Sequence, residues 1–367
     1  MCGAFLLYTR RMVTVKQELT GTARISASLY RKYRPGEFDE VMGQEHIVSV
    51  LRAAVEHDRV AHAYLFAGGR GTGKTSTARI LARALGTSEK DVYEMDAASN
   101  RGIDEIRELR EGVSTLPFES KYKFYIIDEA HALTPQAWGA LLKTLEEPPE
   151  HVVFVLATTE LDRVPETIVS RCQTFVFKKP SHEILKSLIL QVVKKEKASM
   201  DPAAAELIAL MGDGSFRDTL GILQKVLTVS KDSKLTEDEV ALVVGAPKAE
   251  VVNEFLTSLA AKDIAHALGA FNKAQKGGVE AKVFVLLAVA KIRGVLLLRF
   301  APEMKKELQQ QFSDADLEVL QKLAGKDGVA INSALLAEMI TALVETNRAP
   351  MPQIPLELAL YRVFAVQ

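Results

Sequence analysis

Between about Leu29 and Lys179 the chain alternates short apolar runs with longer stretches whose apolar positions return every three or four residues. Ala63–Ala67, Val92–Asp96, Lys123–Asp128, Val152–Thr158 and Thr174–Phe177 read as strands, and the stretches between them as helices. Strands and helices in strict alternation predict a parallel sheet covered by helices. Pro180 closes this block. Ser181 then stands as an N-cap before Ile184, Leu185, Leu188, Ile189, Val192 and Val193, which share one helical face. Asp201-Pro202 predicts a second helix start, with proline at the first helical position, and Thr236-Glu-Asp-Glu239 a capping box for a third. Residues 181–244 therefore read as a small all-helical domain. Gly245-Ala-Pro247 reads as a linker. Residues 248–367 read as helical throughout, punctuated at Gly277-Gly278, Gly325–Gly328 and Ala349–Pro355. Residues 1–28 show no period and are expected to be a poorly ordered tail, with Met12 as another candidate start. The expected fold class is α/β: a parallel-sheet domain over 29–180, a helical lid over 181–244, and an all-helical domain over 248–367.

Composition narrows the setting. Lys+Arg 46 against Asp+Glu 47 gives a net charge of −1, so no global field recruits nucleic acid and any such contact must come from a local basic surface. Cys2 and Cys172 are too few for a disulfide framework or a four-cysteine zinc site, which suits a reducing cytoplasm. Phe5-Leu-Leu7 is too short for a signal-peptide core. The longest apolar region, Val283–Phe300, carries Lys291, Arg293 and Arg299, and so reads as a packed helix with a wet edge, not a membrane span.

The chemistry begins at the end of the first strand, where Gly68, Gly69, Arg70, Gly71, Thr72, Gly73, Lys74 and Thr75 form a complete phosphate-binding loop, with Ser76 opening the next helix. Backbone N–H groups and the helix dipole favour an anion there, and the glycines admit close approach. Lys74 would reach the β- and γ-phosphates and the Thr75 hydroxyl a Mg²⁺ ion. A later apolar strand ends in Asp128 and Glu129. The first acid is placed to help hold Mg²⁺, the second to polarise the attacking water. Asp128-Glu-Ala-His131 also spells the motif of one helicase superfamily, but the helical C-terminal half leaves no room for a second motor domain. Thr158-Thr159, at the end of the next strand, would lie beside the acids. Arg171 in Ser170-Arg-Cys172 and Arg217 in Gly214-Ser-Phe-Arg217-Asp218 are boundary arginines. Taken alone, either suits a surface ion pair better than catalysis.

Leu29-Tyr-Arg-Lys-Tyr-Arg-Pro35, Gly43-Gln-Glu-His-Ile47, the phosphate loop and Ala97-Ala-Ser-Asn-Arg-Gly-Ile-Asp104 resemble the AAA+ clamp loaders. Leu141-Leu-Lys-Thr-Leu-Glu-Glu-Pro-Pro-Glu-His-Val152, Ala157-Thr-Thr159 and Ser170-Arg-Cys172 narrow the resemblance to the gamma/tau subunits of bacterial DNA polymerase III. It extends from about Leu29 to the end, with a weaker similarity at Pro355-Leu-Glu-Leu-Ala-Leu-Tyr361.

By position, the resemblance implies that Lys74 and Thr75 are the Walker A pair, Asp128 and Glu129 the Walker B pair, Thr159 sensor 1 and Arg217 sensor 2. It implies that Arg171 is a finger reaching a neighbouring subunit's ATP, and that Arg34, Pro35 and Val41 line the adenine pocket. Arg101 is the candidate DNA contact, a solvated helix-start arginine being the plainer alternative. The implied cofactors are ATP and Mg²⁺. The implied partners are delta- and delta-prime-type subunits, further copies of the chain, the sliding clamp and the phosphates of primer–template DNA. The sequence departs from the family twice. Gly86-Thr-Ser-Glu-Lys-Asp91 stands where relatives insert a four-cysteine module, so no zinc is expected, and the chain stops where the collar ends, like the short gamma form. A non-hydrolysing stator subunit and a branch-migration ATPase are the competing readings. The first would lack the phosphate loop, and the second would carry a C-terminal winged helix.

Overall fold

A computed structural model describes residues 28–100, 102–230, 234–325 and 330–364. Strands β1 (Ala63–Gly68), β2 (Val92–Asp96), β3 (Lys123–Asp128), β4 (Val152–Thr158) and β5 (Gln173–Phe177) form one parallel sheet in the order β2-β3-β4-β1-β5. The helices of this region are α1 (Leu29–Lys32), α2 (Glu45–Glu56), α3 (Lys74–Ala84), α4 (Ile103–Val113), α5 (Pro135–Glu146) and α6 (Glu166–Val169). Side chains alternate across the sheet with period two. Tyr64, Phe66, Phe124, Ile126, Val153 and Val155 pack with Ile47 and Leu51 of α2 and Ala78 and Leu81 of α3. Leu65, Tyr125, Ile127, Phe154 and Leu156 pack with Ile106 of α4 and Trp138 and Leu141 of α5. Burial on both faces explains why the central strands are apolar runs and not alternating ones. Because every strand is parallel, the ends of β1, β3 and β4 emerge along one edge, where ligands of open α/β sheets bind.

A second core is built from α7 (His182–Lys195), α8 (Pro202–Met211), α9 (Phe216–Val229) and α10 (Glu237–Val244), which bury Leu185, Ile189, Val192, Ile208 and Leu223. Ser181 caps α7, accepting from the Ile184 amide, and the capping box of Thr236 and Glu239 is reciprocal. Asp201 precedes Pro202 as expected but makes no side-chain cap bond. This region is not purely helical, as the pattern suggested. Ser199–Met200 (β6) and Lys234–Leu235 (β7) form a two-residue parallel pair, too short to leave a periodic trace.

α1 packs into this lid core, although it precedes the sheet in sequence. Leu29 is fully buried there and its amide donates to Gln224 Oε1 at 3.1 Å, while Lys32 Nζ and Tyr33 Oη both donate to Glu196 at 2.6 Å. The chain thus passes between lid and sheet twice, before α2 and after β5. The buried Gln44 ties the crossings together: its Nε2 donates to the Lys178 carbonyl at 2.7 Å and its Oε1 accepts the Lys178 amide at 3.1 Å.

Gly245, left-handed at φ 65°, ends α10. Beyond it, α11 (Ala249–Ala260), α12 (Ile264–Lys276), α13 (Ala281–Phe300), α14 (Lys305–Gln311), α15 (Asp314–Ala324), α16 (Ser333–Thr346) and α17 (Ile354–Phe364) enclose a third core around Phe255, Phe271, Phe284 and Met339. α13 is its spine, and its cations are mostly not on a wet edge. Only Arg293 is exposed. Lys291 is 5% exposed and donates to Asp316 and to Asn253 Oδ1 (2.8 Å), while Arg299 Nη1 donates to the Ile331 carbonyl at 2.7 Å. Among the described residues, no helix is long and apolar enough to cross a membrane.

Candidate functional site

The loop after β1 wraps onto the N-terminus of α3, whose first residue is Lys74. Gly71 takes φ +71° and faces the lid so closely that a Cβ there would stand 2.1 Å from Ser215 Oγ. Its carbonyl accepts the Phe216 amide at 3.0 Å, so the start of α9 is bonded directly to the phosphate loop. Lys74 is buried, and its Nζ donates to the Gly68 and Gly69 carbonyls, both at 2.8 Å. Burial pushes its ammonium below the ordinary lysine range, opposed by the Glu129 and Asp128 carboxylates.

Two strands away, at the end of β3, Asp128 Oδ2 accepts the Thr75 hydroxyl at 2.7 Å, and its Oδ1 accepts the Glu129 amide at 3.0 Å. Glu129 is left-handed at φ 49°, a conformation that costs a non-glycine residue about 1 kcal/mol or more and clusters at functional positions. Its Oε2 accepts the Thr159 hydroxyl at 3.1 Å. The β3–β4 pairing brings these groups together.

These residues line one cleft between sheet and lid. Its walls include Arg70 through Thr77, Asp128 and Glu129 on the sheet side, Leu188, Phe216, Arg217 and Leu220 on the lid side, and Tyr30, Tyr33, Arg34, Pro35, Val41 and Met42 from the N-terminal segment. The Arg217 guanidinium lies over the Tyr30 ring, 5.8 Å from its centroid. Burial, with Arg79 nearby, lowers the pKa of Arg34.

Of the residues singled out in the sequence, Lys74, Thr75, Ser76, Asp128, Glu129, Arg217, Arg34, Pro35 and Val41 meet in this cleft. Thr159 reaches it through Glu129, and Gly68 and Gly69 lie beneath Lys74. Arg171 is elsewhere: its Nη1 donates to the Thr167 carbonyl and its Nη2 to Glu146 Oε1, both at 2.7 Å. Arg101 lies outside the described residues. Tyr30, Tyr33, Met42, Leu188, Phe216 and Leu220 were not legible as cleft residues. Each is an apolar or aromatic position whose place along the chain carries no ligand signal, and only the packing of lid on sheet brings it to the cleft.

The donor sets suit a nucleotide and its metal. Free amides at the N-terminus of a helix suit phosphate, and an aliphatic and aromatic wall suits a base. A hydroxyl and a carboxylate 2.7 Å apart offer hard oxygen ligands for Mg²⁺.

Comparison with known proteins agrees with this architecture. The family described as DNA polymerase III, delta subunit, matches residues 43–102 and 87–181, and that described as DNA polymerase III subunits gamma and tau domain III matches 235–367. The RuvB Holliday junction branch migration motor of Thermotoga maritima shares the fold, with TM-score 0.50 and 24% identity over 62% of this chain and 79% of that one. DNA polymerase III subunit tau of Bacillus subtilis is 37% identical across 88% of this chain, which spans 59% of its length, and the gamma/tau subunit of Mycobacterium tuberculosis is 33% identical across 92%, spanning 62%. DNA polymerase III subunit gamma of Buchnera aphidicola is 30% identical across 92% of this chain and is itself 96% covered. With a near-complete relative at that identity and an AAA+ sheet carrying its phosphate loop at the expected edge, the chain belongs to the gamma/tau subunit family of the bacterial DNA polymerase III clamp loader.

Proposed function

We propose that this chain is an ATP-hydrolysing motor subunit that opens a sliding clamp and places it on primer–template DNA. The observation that carries this reading is the convergence of Lys74, the Thr75–Asp128 pair and the Glu129–Thr159 pair at one sheet edge, in a cleft closed by Arg217 of the lid. The loop amides and Lys74 bind the phosphate chain, and Thr75 and Asp128 would hold Mg²⁺, which would supply positive charge against the phosphates. Glu129 takes the proton of the attacking water, with Thr159 fixing its carboxylate. Arg217 reads the γ-phosphate from the lid, so nucleotide state becomes a lid rotation. Arg171, tied to Glu146 away from its own cleft, serves a neighbour's site, and turnover then depends on correct assembly. DNA is held through phosphates, with steep salt dependence and little base preference. In the whole assembly the chain works in the cytoplasm with delta- and delta-prime-type subunits and further copies of itself.

ATP turnover by the chain with such subunits and a sliding clamp, with and without primer–template DNA, tests the reading. A strong rise that needs both clamp and primer junction is expected. Turnover indifferent to both would point to another AAA+ motor, and ATP binding without turnover to a structural subunit.

A further inference from the structure

His131 lies in the turn after Glu129, its side chain only 12% exposed. The Thr158 hydroxyl oxygen, at the buried end of β4, accepts the Glu160 amide at 3.0 Å and lies 3.1 Å from His131 Nδ1. The other ring nitrogen, Nε2, faces Glu160 Oε1 at 3.2 Å. Glu160 is itself paired with Arg163 at 3.3 Å. Both ring nitrogens thus face an oxygen of the segment that follows β4 or ends it.

The same Nδ1 edge stands 3.6 Å from Glu129 Oε2. At that distance the edge makes no hydrogen bond to the carboxylate but stands against it. Oε2 keeps the Thr159 hydroxyl as its partner. The left-handed backbone at Glu129 already narrows where the side chain can go. The segment braced by the imidazole, Thr158 through Arg163, continues into α6 and Arg171.

We propose that His131 is a positioning residue for the hydrolytic step: it backs the Glu129 carboxylate into the cleft and couples that carboxylate, through Thr158 and Glu160, to the segment that carries Arg171. The proposal rests on Glu129 acting as the base. Supporting groups that lock a reacting side chain govern the rate and not ground-state binding.

The test is steady-state ATP turnover by the full complex with clamp and primer–template DNA, for wild type, Glu129→Gln, His131→Ala and His131→Asn. His131→Ala is expected to lower kcat about tenfold or more while KM for ATP stays within about twofold. His131→Asn, whose amide can hydrogen-bond the Thr158 hydroxyl in either sense, is expected to recover a large part of the loss. A His131→Ala rate equal to wild type overturns the proposal, and so does a change confined to KM. If His131→Ala does not fold, Glu160→Gln decides: reduced kcat at unchanged KM supports the coupling, and unchanged kcat overturns it. A wild type that binds ATP without turnover, or a Glu129→Gln variant as fast as wild type, overturns the reading of Glu129 and with it the proposal. An active wild type sensitive to Glu129→Gln but not to His131 overturns the positioning role alone.

Discussion

At the N-terminus of α3, the Lys74 ammonium is buried, lowered in pKa by that burial, and satisfied only by the Gly68 and Gly69 carbonyls. A phosphate entering the loop gives this cation the anionic partner it lacks, so a large part of nucleotide affinity should depend on it. Lys74→Ala is expected to reduce ATP binding strongly and turnover by about 10²–10³, while the thermal midpoint stays near wild type. Titration with a fluorescent ATP analogue beside a melting curve checks both, and unchanged affinity would remove Lys74 from phosphate binding. At this scale the sequence is at its most legible. The phosphate loop and the two acids are contiguous motifs, whose chemistry follows from spacing alone. His131 was visible only as a letter in a helicase-like motif, because its partners Thr158 and Glu160 lie about thirty residues away and meet it only through strand pairing. Arg171 was identified by resemblance, and its partner Glu146 by nothing in the sequence.

Among elements, the residue before β2 ties its loop to the loop before β3. Asp91 is fully buried, and its carboxylate accepts the amides of Phe118, Glu119 and Ser120 from the loop before β3. Burial alone would raise its pKa, but these amide bonds outweigh burial and hold it below the usual carboxylate range. A depressed folded-state pKa gives stability that is present above the unfolded value of about 3.9 and is lost as pH falls toward and through the folded one. Asp91→Asn is therefore expected to cost about 2 kcal/mol at neutral pH, with the gap between variant and wild type closing as pH drops below about 4. Denaturant melts at several pH values measure this, and a constant gap would mean that the charge is not what matters. The strands themselves were placed within a residue of where they lie, because apolar runs bounded by glycine, proline or acids leave a local trace. The strand order left none, since register and neighbours depend on crossovers.

For the molecule as a whole, the third core holds a charge that the α13 pattern misassigned to solvent. Lys291 pairs with Asp316, 2% exposed, and burial lowers its pKa despite that carboxylate. Lys291→Met is expected to destabilise this region by about 3–5 kcal/mol by stranding Asp316, and adding Asp316→Leu should restore most of it. A double variant no more stable than the single would show that the pair is not energetically coupled. Arg171 is best tested in the assembly. Arg171→Ala should leave ATP affinity intact yet cut assembled turnover by about 10³ or more if it stabilises transition-state charge on a neighbour's nucleotide. Equal turnover in the assembled complex would end the trans role. Helix and strand periods mark where most elements lie, whereas α1, read with the sheet, packs in the lid core. Its four residues are too few to show a face, and Leu29 is committed to the lid by contacts nearly two hundred positions away.

The double crossing between lid and sheet has a mechanical meaning. A body joined to another by one flexible strand can tilt, twist and swing. Joined at two points that are bolted together, it is far freer to turn about the line through them than to tilt or swing. Gln44 is that bolt, bonded on both sides to Lys178 where the second crossing leaves β5. The nucleotide cleft lies beside this axis, walled by residues of the first crossing, Arg34, Pro35 and Val41. On the proposed function, a displacement at the phosphates would leave the cleft as an angle about this line, and the helices beyond the lid would receive it as a long sweep.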